Sequence, residues 1–364
     1  MAGADVGELE IEYVTDALRN GWYENKYYYC ETLQKEFAEY HNRKYALMTT
    51  SCTTSLHLIL AALGIAPGDE VIVPECTWIA SVSPVVQCGA KPIFCDIEEK
   101  NWCLDPESLK KSITNRTKAV IVVDLFGNMP QMDKIQKICD DNNLPLIEDA
   151  AEALGSIYKG TRAGKFGIAS TFSFHNTKTM TTGEGGMLLL DDEEIYKKCV
   201  KLRDHGRGPE TKAYYNDMVA YKYMPFNVQA ALGLAQFHRL EELVTIQRNH
   251  YEFYRNELSE LNVQFNPEPP DVFNSAWVTT MVLDRDYNVP KLEMIDRLKI
   301  LGVPSRPFFY PLSSIPAFNL QEEYKDKNPR SYDISSRGIN LPGAANLTNK
   351  QLKFICDNIK EVLK

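Results

Sequence analysis

Short apolar runs alternate with segments of helical length over the first half of the chain, and no other feature restricts the possible folds as strongly. Runs rich in Val and Ile predict strands at residues 71–73, 92–94, 119–123 and 144–147. The intervening segments, such as 54–63 and 132–139, predict helices. This alternation is typical of a parallel sheet covered by helices on both faces. Two later runs, 170–174 and 187–190, extend the predicted sheet.

The second half of the chain has a different pattern of predicted helices and strands. Residues 228–243, VQAALGLAQFHRLEEL, carry apolar side chains three and four positions apart and predict one long helix. A polar helix, the proline-rich stretch FNPEPPDVF, the strand-like run WVTTMVL and a helix at each end of the final segment follow. We therefore predict an α/β protein with a large domain over residues 1–243 and a smaller C-terminal α+β domain over residues 244–364.

Composition limits the classes of function. The chain has 364 residues, 44% of them hydrophobic and 24% charged, as is typical of a globular protein with an ample core. Its net charge is −9 and its Lys and Arg residues are scattered, so neither nucleic acid nor a membrane is an expected partner. The apolar runs are short and the N-terminus lacks a signal-peptide pattern, which favours a cytoplasmic location. Nine cysteines without a Cys-x-x-Cys pair predict neither a disulfide framework nor a metal site.

Polar residues stand at the carboxyl ends of the predicted strands, where open α/β sheets bind their ligands. Asp149 ends one strand, and Lys178 lies in the loop after another. The hydroxyl-rich stretch TTSCTTS, residues 49–55, precedes a helix and offers backbone N–H groups to a phosphate. Trp78 follows a strand and offers a flat ring to a planar ligand. Pyridoxal 5'-phosphate (PLP) requires these four features: a phosphate seat, an aromatic cover, an acid for its ring nitrogen and a lysine for its aldehyde.

Each feature also has a simpler interpretation when it stands alone. A loop lysine is usually a solvated charge, an aspartate at a strand end can be a helix N-cap, and a tryptophan is more often part of the core. The stretch TTSCTTS can serve only as a helix cap. The order of the four features along one predicted sheet favours the PLP interpretation.

Several segments resemble the DegT/StrS family of nucleotide-sugar aminotransferases, which are PLP enzymes of fold type I, the aspartate aminotransferase fold. These segments are EVIVPECTWIAS, GAKPIFCDIE, LPLIEDAAEALGS, SFHNTKTMTTGEGGMLL and AALGLAQ. The resemblance extends from about residue 20 to the end of the chain. Within the family, SRPFFYP at residues 305–311 and RGINLPG at residues 337–343 are most similar to enzymes that aminate C4 of GDP-4-keto-6-deoxymannose.

The resemblance implies roles for four residues around the cofactor ring. Lys178 would be the catalytic lysine that binds PLP covalently, and Asp149 would be the catalytic carboxylate beside the ring nitrogen. Glu152 falls where the family places a Gln, His or Glu next to the ring oxygen. Trp78 matches the aromatic residue that stacks on the ring.

The resemblance also implies a phosphate site that two subunits share. Ser173, Cys52 and Thr53 match the phosphate seat, although the family commonly has glycine at the position of Cys52. The segment YKYMPFN, residues 221–227, differs from the Y-N-Y-R-M-T-N of many relatives. Lys222 in this segment would reach the phosphate of the neighbouring subunit, so a homodimer is expected.

For the reaction, the resemblance implies L-glutamate as amino donor, with release of 2-oxoglutarate, and a nucleotide-linked 4-keto-6-deoxyhexose as acceptor. Arg306 and Arg337 are candidates for binding the substrate's diphosphate, and surface arginines in turns are the simpler interpretation of both. The nucleotide is open between GDP and the UDP or dTDP of a viosamine transaminase. Relatives that remove a C3 hydroxyl have histidine in place of the lysine, and Lys178 argues against that reaction. A regulatory protein that holds PLP without turnover is the alternative from a different class.

Overall fold

The fold is described from a computed structural model, over residues 3–208, 212–287 and 289–364. In this part of the chain a seven-stranded sheet has the order β1-β9-β8-β5-β4-β2-β3. Strands β3, β2, β4, β5 and β8 run parallel, and β9 is antiparallel to both β8 and β1. The α/β prediction with a mainly parallel sheet is therefore confirmed. The strands are β1 (Tyr45–Thr49), β2 (Glu70–Pro74), β3 (Lys91–Cys95), β4 (Thr117–Val123), β5 (Leu146–Asp149), β6 (Ile157–Tyr158), β7 (Thr161–Arg162), β8 (Ala169–Ser173) and β9 (Gly186–Leu190).

Helices cover both faces of this sheet, because its strands carry buried apolar side chains on each side. One face packs Ile72, Val120 and Val122 against the helical layer that contains Leu33 and Phe37. The other packs Val71, Ile121 and Leu188 against the helix that follows β1. The helices of this part are α1 (Glu8–Asn20), α2 (Tyr28–Tyr40), α3 (Cys52–Ala62), α4 (Ser83–Gln87), α5 (Pro106–Ser112), α6 (Met132–Asp141), α7 (Glu193–Arg203), α8 (Asn227–His238) and α9 (Leu240–Glu257).

The C-terminal part forms a second sheet of four strands, in the order β10-β12-β14-β13. A separate core that includes Tyr254, Met294 and Ile355 joins this sheet to its helices. Its elements are β10 (Val263–Phe265), β11 (Val272–Phe273), β12 (Thr280–Leu283), α10 (Lys291–Ile300), β13 (Arg306–Pro307), α11 (Gln321–Tyr324), α12 (Pro329–Arg337), β14 (Gly338–Asn340) and α13 (Asn349–Val362). The smaller α+β unit is thus present. We propose the domain division between residues 243 and 244, which lie within α9.

Two element boundaries differ from the sequence predictions. The predicted single helix at 228–243 is two helices, α8 and α9, which meet at Arg239 with φ −102° and ψ 9°. The guanidinium of Arg239 bonds to Asp5 and Glu10 in the N-terminal segment as well as to Glu242, so distant partners hold this junction. Within the run WVTTMVL, the strand begins only at Thr280. Trp277 therefore lies before the strand.

Two chemical features of the described residues bear on function. All nine cysteines are free thiols, and eight of them are buried. Among the described helices, none combines the length and apolarity that crossing a membrane requires.

Candidate active site

Lys178 lies in the loop that follows β8, at the carboxyl end of the sheet. Its backbone N–H donates to the carbonyl of His175 at 2.9 Å, which closes a tight turn and directs the side chain inward. Its Nζ lies 3.2 Å from Oε1 of Glu152, and both side chains are largely buried. The face of the Trp277 indole lies 3.5 Å from the same nitrogen. The amine is therefore held between a carboxylate and an aromatic ring.

Asp149 is the last residue of β5 and is buried. Its Oδ2 accepts a 2.7 Å hydrogen bond from the hydroxyl of Ser81, and its Oδ1 accepts from the N–H of Ala151 at 3.2 Å. Burial raises the pKa of Asp149, whereas the Ser81 and Ala151 bonds and the charge of Lys178 oppose that rise. The ionised form of Asp149 is thus stabilised by only a few specific hydrogen-bond donors.

Glu152 is the second buried carboxylate of the site. Its Oε2 accepts a 3.0 Å hydrogen bond from the N–H of Phe126. Phe126 has a φ of 55°, a left-handed conformation that is uncommon for a bulky residue and that aims its N–H at the carboxylate. Burial raises the pKa of Glu152, and the charge of Lys178 lowers it. The Glu152 carboxylate is therefore bound by the backbone N–H of Phe126 through one oxygen and by the amine of Lys178 through the other.

The start of α3 forms a concave backbone surface next to Ser173. The side chain of Ser51 caps the helix by accepting from the N–H of Thr54, while the N–H groups of Cys52 and Thr53 stand in the first turn, where a helix has no internal acceptors. Ser173 pairs in register with Gly186, and a Cβ on Gly186 would lie 2.4 Å from the Cys52 nitrogen. Only glycine permits this close approach. It places Ser173 next to the first turn of α3, so the groups of the predicted phosphate site lie side by side.

The thiol of Cys52 points into the sheet. Its Sγ lies 3.3 Å from Oγ1 of Thr171 and 3.6 Å from Oδ1 of Asp149. Burial raises the pKa of this thiol well above its ordinary value, so it is a neutral group. The cysteine therefore leaves the helix N-terminus accessible and adds a weak contact to Asp149.

A row of aromatic rings connects Trp78 to the lysine. Trp78 is more than half exposed, and its ring lies 5.9 Å from that of Phe309 in the C-terminal domain. Phe309 stacks on Phe126 at 5.1 Å, and Phe126 stacks on Trp277 at 6.3 Å. Trp78 is thus available as a covering ring, and the row joins the two domains at the site.

Sequence reasoning missed three residues that the structure places here: Ser81, Phe126 and Trp277. Ser81 lies three residues after Trp78 in the same short turn, but its hydroxyl alone carried no signal. Phe126 contributes its backbone conformation, which the sequence does not display. The strand-like run WVTTMVL predicts a strand that includes Trp277, whereas Trp277 precedes the strand and its indole nitrogen donates to the carbonyl of Thr177 at 2.6 Å.

Three predicted residues stand apart from this group. Nζ of Lys222 bonds to Oδ1 of Asp204 at 2.6 Å in its own chain, and its side chain is about half exposed. Arg337 binds both carboxylate oxygens of Asp333 and the carbonyl of Leu283. Arg306 is exposed on β13 at the edge of the small sheet.

The donor and acceptor groups of the site fit PLP. A buried lysine amine can bind the aldehyde, Asp149 offers a carboxylate to the ring nitrogen, and Glu152 lies beside the amine. The N–H groups at the start of α3, with Ser173 close by, provide donors for the phosphate. Each requirement of the cofactor therefore has a counterpart among residues that the fold brings together.

Comparison with known sequences points in the same direction. The model of the DegT/DnrJ/EryC1/StrS aminotransferase family matches residues 4–360. The GDP-perosamine synthase of Vibrio cholerae is 40% identical over 351 residues, which cover 96% of this chain and 95% of that protein. The GDP-perosamine synthase of Escherichia coli O157:H7 is 38% identical over 352 residues, with 97% and 95% coverage.

Solved structures agree with the architecture. The PLP form of Spr1654 from Streptococcus pneumoniae superposes with a TM-score of 0.92 at 27% identity, covering 99% of this chain and 97% of that one. A 3-amino-5-hydroxybenzoic acid synthase gives the same TM-score at 26% identity, covering 100% and 98%. The fold is thus that of these enzymes over the whole chain.

Proposed function

Because the chain belongs to the DegT/DnrJ/EryC1/StrS aminotransferase family, we propose that it transfers the amino group of L-glutamate to C4 of GDP-4-keto-6-deoxymannose, giving GDP-perosamine. The chain is a PLP-dependent aminotransferase of fold type I. The observation that carries the proposal is the buried contact between Lys178 and Glu152, at 3.2 Å, in a site that also holds Asp149.

PLP supplies an aldehyde that takes up the amino group and a ring that delocalises negative charge. The residues of this chain supply the proton chemistry and the orientation. The Lys178 amine, when it is free, is the base that removes a proton from the donor's α carbon and returns one to the acceptor. Glu152 and Trp277 fix the location of this amine. Asp149 supports a positive charge on the ring nitrogen, and the stacked rings of Phe309, Phe126 and Trp277 form one side of the site.

The nucleotide and the sugar are the finer part of the proposal. Three relatives with 35 to 40% identity carry the name GDP-perosamine synthase, which favours GDP over the UDP or dTDP of a viosamine transaminase. A relative with 30% identity is named a pleiotropic regulatory protein, so a regulatory role is kept as the alternative to be tested. The buried arrangement of Lys178, Asp149 and Glu152 favours catalysis, because a regulatory role does not require a buried carboxyl group at the ring nitrogen.

We propose that Arg306 and Arg337 bind the substrate's diphosphate. Both lie on the small sheet or at its edge, at β13 and just before β14. Arg337 shares Asp333 with Arg285, so Arg285 can neutralise Asp333 when Arg337 turns toward an anion. Arg306 projects from the exposed edge of the sheet.

We also propose a homodimer with shared active sites. The exposed rings of Trp22 and Phe226 lie 6.0 Å apart beside the start of α8, and Tyr23 and Tyr28 in the neighbouring N-terminal segment are exposed as well. An exposed aromatic group of this kind is typical of a surface that a two-fold interface buries. Lys222 belongs to the adjacent segment, so the partner's phosphate seat is its proposed target.

The proposal is tested with purified protein, L-glutamate and the GDP-, UDP- and dTDP-linked 4-keto-6-deoxy sugars offered in parallel. Mass spectrometry and NMR of the product identify the aminated carbon, and kcat/KM ranks the nucleotides. We expect the highest value for the GDP sugar and an amine at C4. Preference for the UDP or dTDP sugar would establish the viosamine reaction instead. Tight PLP binding without turnover of any sugar would favour the regulatory alternative.

A further inference from the structure

Ser81 contacts the buried acid of the active site and has no role in the function described so far. Its Oγ lies 2.7 Å from Oδ2 of Asp149, and both residues are 3% exposed. An ionised carboxylate can only accept hydrogen bonds, so the hydroxyl of Ser81 is the donor. A second hydroxyl, that of Thr77, lies 3.0 Å from Oγ of Ser81. With the Ser81 proton directed at Asp149, Thr77 donates to Ser81, and the two hydroxyls form a chain that ends on the acid.

This chain is part of the turn that presents the exposed ring of Trp78. Residues Ile79–Ser81 form a single 3-10 turn, and the N–H of Ser81 donates to the carbonyl of Trp78 at 3.1 Å. One short segment therefore sets both the position of an aromatic ring at the site mouth and the donor to the buried acid. A change in this turn would move both groups together.

Asp149 needs such a donor because its surroundings disfavour a charge. Burial is the largest influence on it and raises its pKa. Its neighbours include two further buried acids, Asp124 and Glu152, and the neutral thiol of Cys52. Lys178 is the nearby cation, and its partner at hydrogen-bond distance is Glu152. The shortest contact that stabilises the ionised form of Asp149 is the 2.7 Å bond from Ser81.

We propose that Ser81 is a positioning residue for the reaction, whose hydroxyl keeps the Asp149 carboxylate ionised and oriented for the ring nitrogen of PLP. The inference rests on the proposed role of Asp149. When the Ser81 hydroxyl is removed, Asp149 binds a proton more tightly, and the proton shared with the ring nitrogen moves toward the carboxylate. A ring without that proton is a weaker electron acceptor, so the chemical step slows while substrate binding is unchanged.

The test uses Ser81→Ala in the holoenzyme reconstituted with PLP labelled with ¹⁵N in the ring. The ¹⁵N chemical shift at neutral pH reports directly whether the ring nitrogen carries a proton, independently of turnover. We expect the shift of Ser81→Ala to move toward the unprotonated value. We expect kcat to fall about tenfold, the factor that corresponds to one unit of proton affinity, with KM for the sugar within about twofold. Ser81→Thr retains the hydroxyl and should restore both the ¹⁵N shift and kcat.

Ser83→Ala is the matched control. Ser83, the first residue of α4, donates its hydroxyl to the carbonyl of Ile79 in the neighbouring turn at 3.0 Å and does not contact Asp149. It should leave the ¹⁵N shift and kcat at wild-type values. An unchanged ¹⁵N shift in Ser81→Ala, with or without a loss of thermal stability, would overturn the inference.

Asp149→Asn separates this inference from the role assigned to Asp149. If Asp149→Asn moves the ¹⁵N shift to the unprotonated value and Ser81→Ala does not, the positioning role of Ser81 fails while Asp149 keeps its role. If neither variant moves the shift, the proposed role of Asp149 fails as well.

Discussion

The indole of Trp277 contacts both Lys178 and the residue that precedes it. Its ring face lies 3.5 Å from the lysine Nζ, and its nitrogen donates a 2.6 Å hydrogen bond to the carbonyl of the preceding residue, Thr177. Trp277 belongs to the segment that leads into the C-terminal sheet, so the small domain takes part in positioning the amine of Lys178, the proposed catalytic group. An ammonium over an indole face is stabilised by the negative face of the ring, and the stabilisation grows when water is excluded.

Replacement of Trp277 should therefore slow the proton transfers that Lys178 carries out. Trp277→Leu removes both contacts, and a cation–π contribution of about 0.5–2 kcal/mol corresponds to a decrease in kcat of roughly 3- to 30-fold. Trp277→Phe keeps a ring face without the N–H donor and should lose less. Single-turnover rates with L-glutamate measure the step, and a wild-type rate in Trp277→Leu would contradict the assigned contact.

Lys178→Ala should abolish turnover and the covalent attachment of PLP. The wild-type protein should be yellow, and borohydride reduction followed by peptide mass spectrometry should locate the cofactor on residue 178. The variant loses both the amine that binds the aldehyde and the base, while its phosphate donors remain, so it should still bind PLP reversibly. Lys159→Ala is a suitable control, because Lys159 pairs with Asp133 on the surface. Normal turnover in Lys178→Ala would exclude this lysine.

Asp149→Asn should lower the transamination rate by roughly two orders of magnitude or more, because a neutral amide does not stabilise a charged ring nitrogen. The thermal midpoint of the apoprotein should change little, since the amide keeps the shape of the side chain and burial already disfavours the charge. Stopped-flow rates and thermal unfolding measure the two effects separately. Near-normal kinetics would mean that another group faces the ring nitrogen.

Two neighbouring buried acids should make the apoprotein less stable as pH rises. Burial raises the pKa of Glu148 to about 7 from an ordinary 4.5, and raises that of Asp124 well above its ordinary value. The folded state therefore binds protons more tightly than the unfolded state. The resulting stability is complete below about pH 4.5 and is lost as pH rises through about 7.

Asp124→Asn should reduce this loss. The buried carboxyl of Asp124 interacts with that of Glu148, so a neutral amide at position 124 removes one of two facing acids. In urea unfolding, the variant should be close to wild type at about pH 5 and more stable at about pH 8, by on the order of 1 kcal/mol or more. Glu148 accepts from the N–H groups of Gly164 and Phe166 and is left unchanged. Equal pH dependence in both proteins would refute the assignment.

Lys222→Ala should weaken PLP retention if Lys222 reaches the partner's phosphate. Mixing it with inactive Lys178→Ala protein should give hybrid dimers in which one site carries both lesions and the other carries neither, so activity should recover as subunits exchange. Cofactor release rates and the activity of the mixture are the measurements. Light scattering that finds a fully active monomer at micromolar concentration would sink the shared-site proposal.

The sheet and the order of its polar residues were predictable. Runs such as residues 119–123 are apolar on both faces because both faces of the strand are buried. This property can be recognised from the residues of the run alone. The positions of Asp149 and Lys178 followed from the rule that ligands gather at the carboxyl ends of parallel strands. The roles of Glu152, Ser173 and Cys52 came from resemblance, and the comparisons confirm the family that implied them.

Local pattern determined the class of fold, the strands of the large sheet and the candidate lysine and acid, because burial and periodicity act between residues that are near in sequence. Tertiary structure alone decided the rest. One helix ends and the next begins at Arg239, within a continuous apolar pattern. The guanidinium of Arg239 is bound there by Asp5 and Glu10, which lie more than 220 residues away in sequence. Trp277 reaches Thr177 across 100 residues, and Ser81 reaches Asp149 across 68. Contacts between such distant residues depend on how the sheets and turns pack. The identity of one residue in the sequence therefore does not indicate which distant residue it contacts.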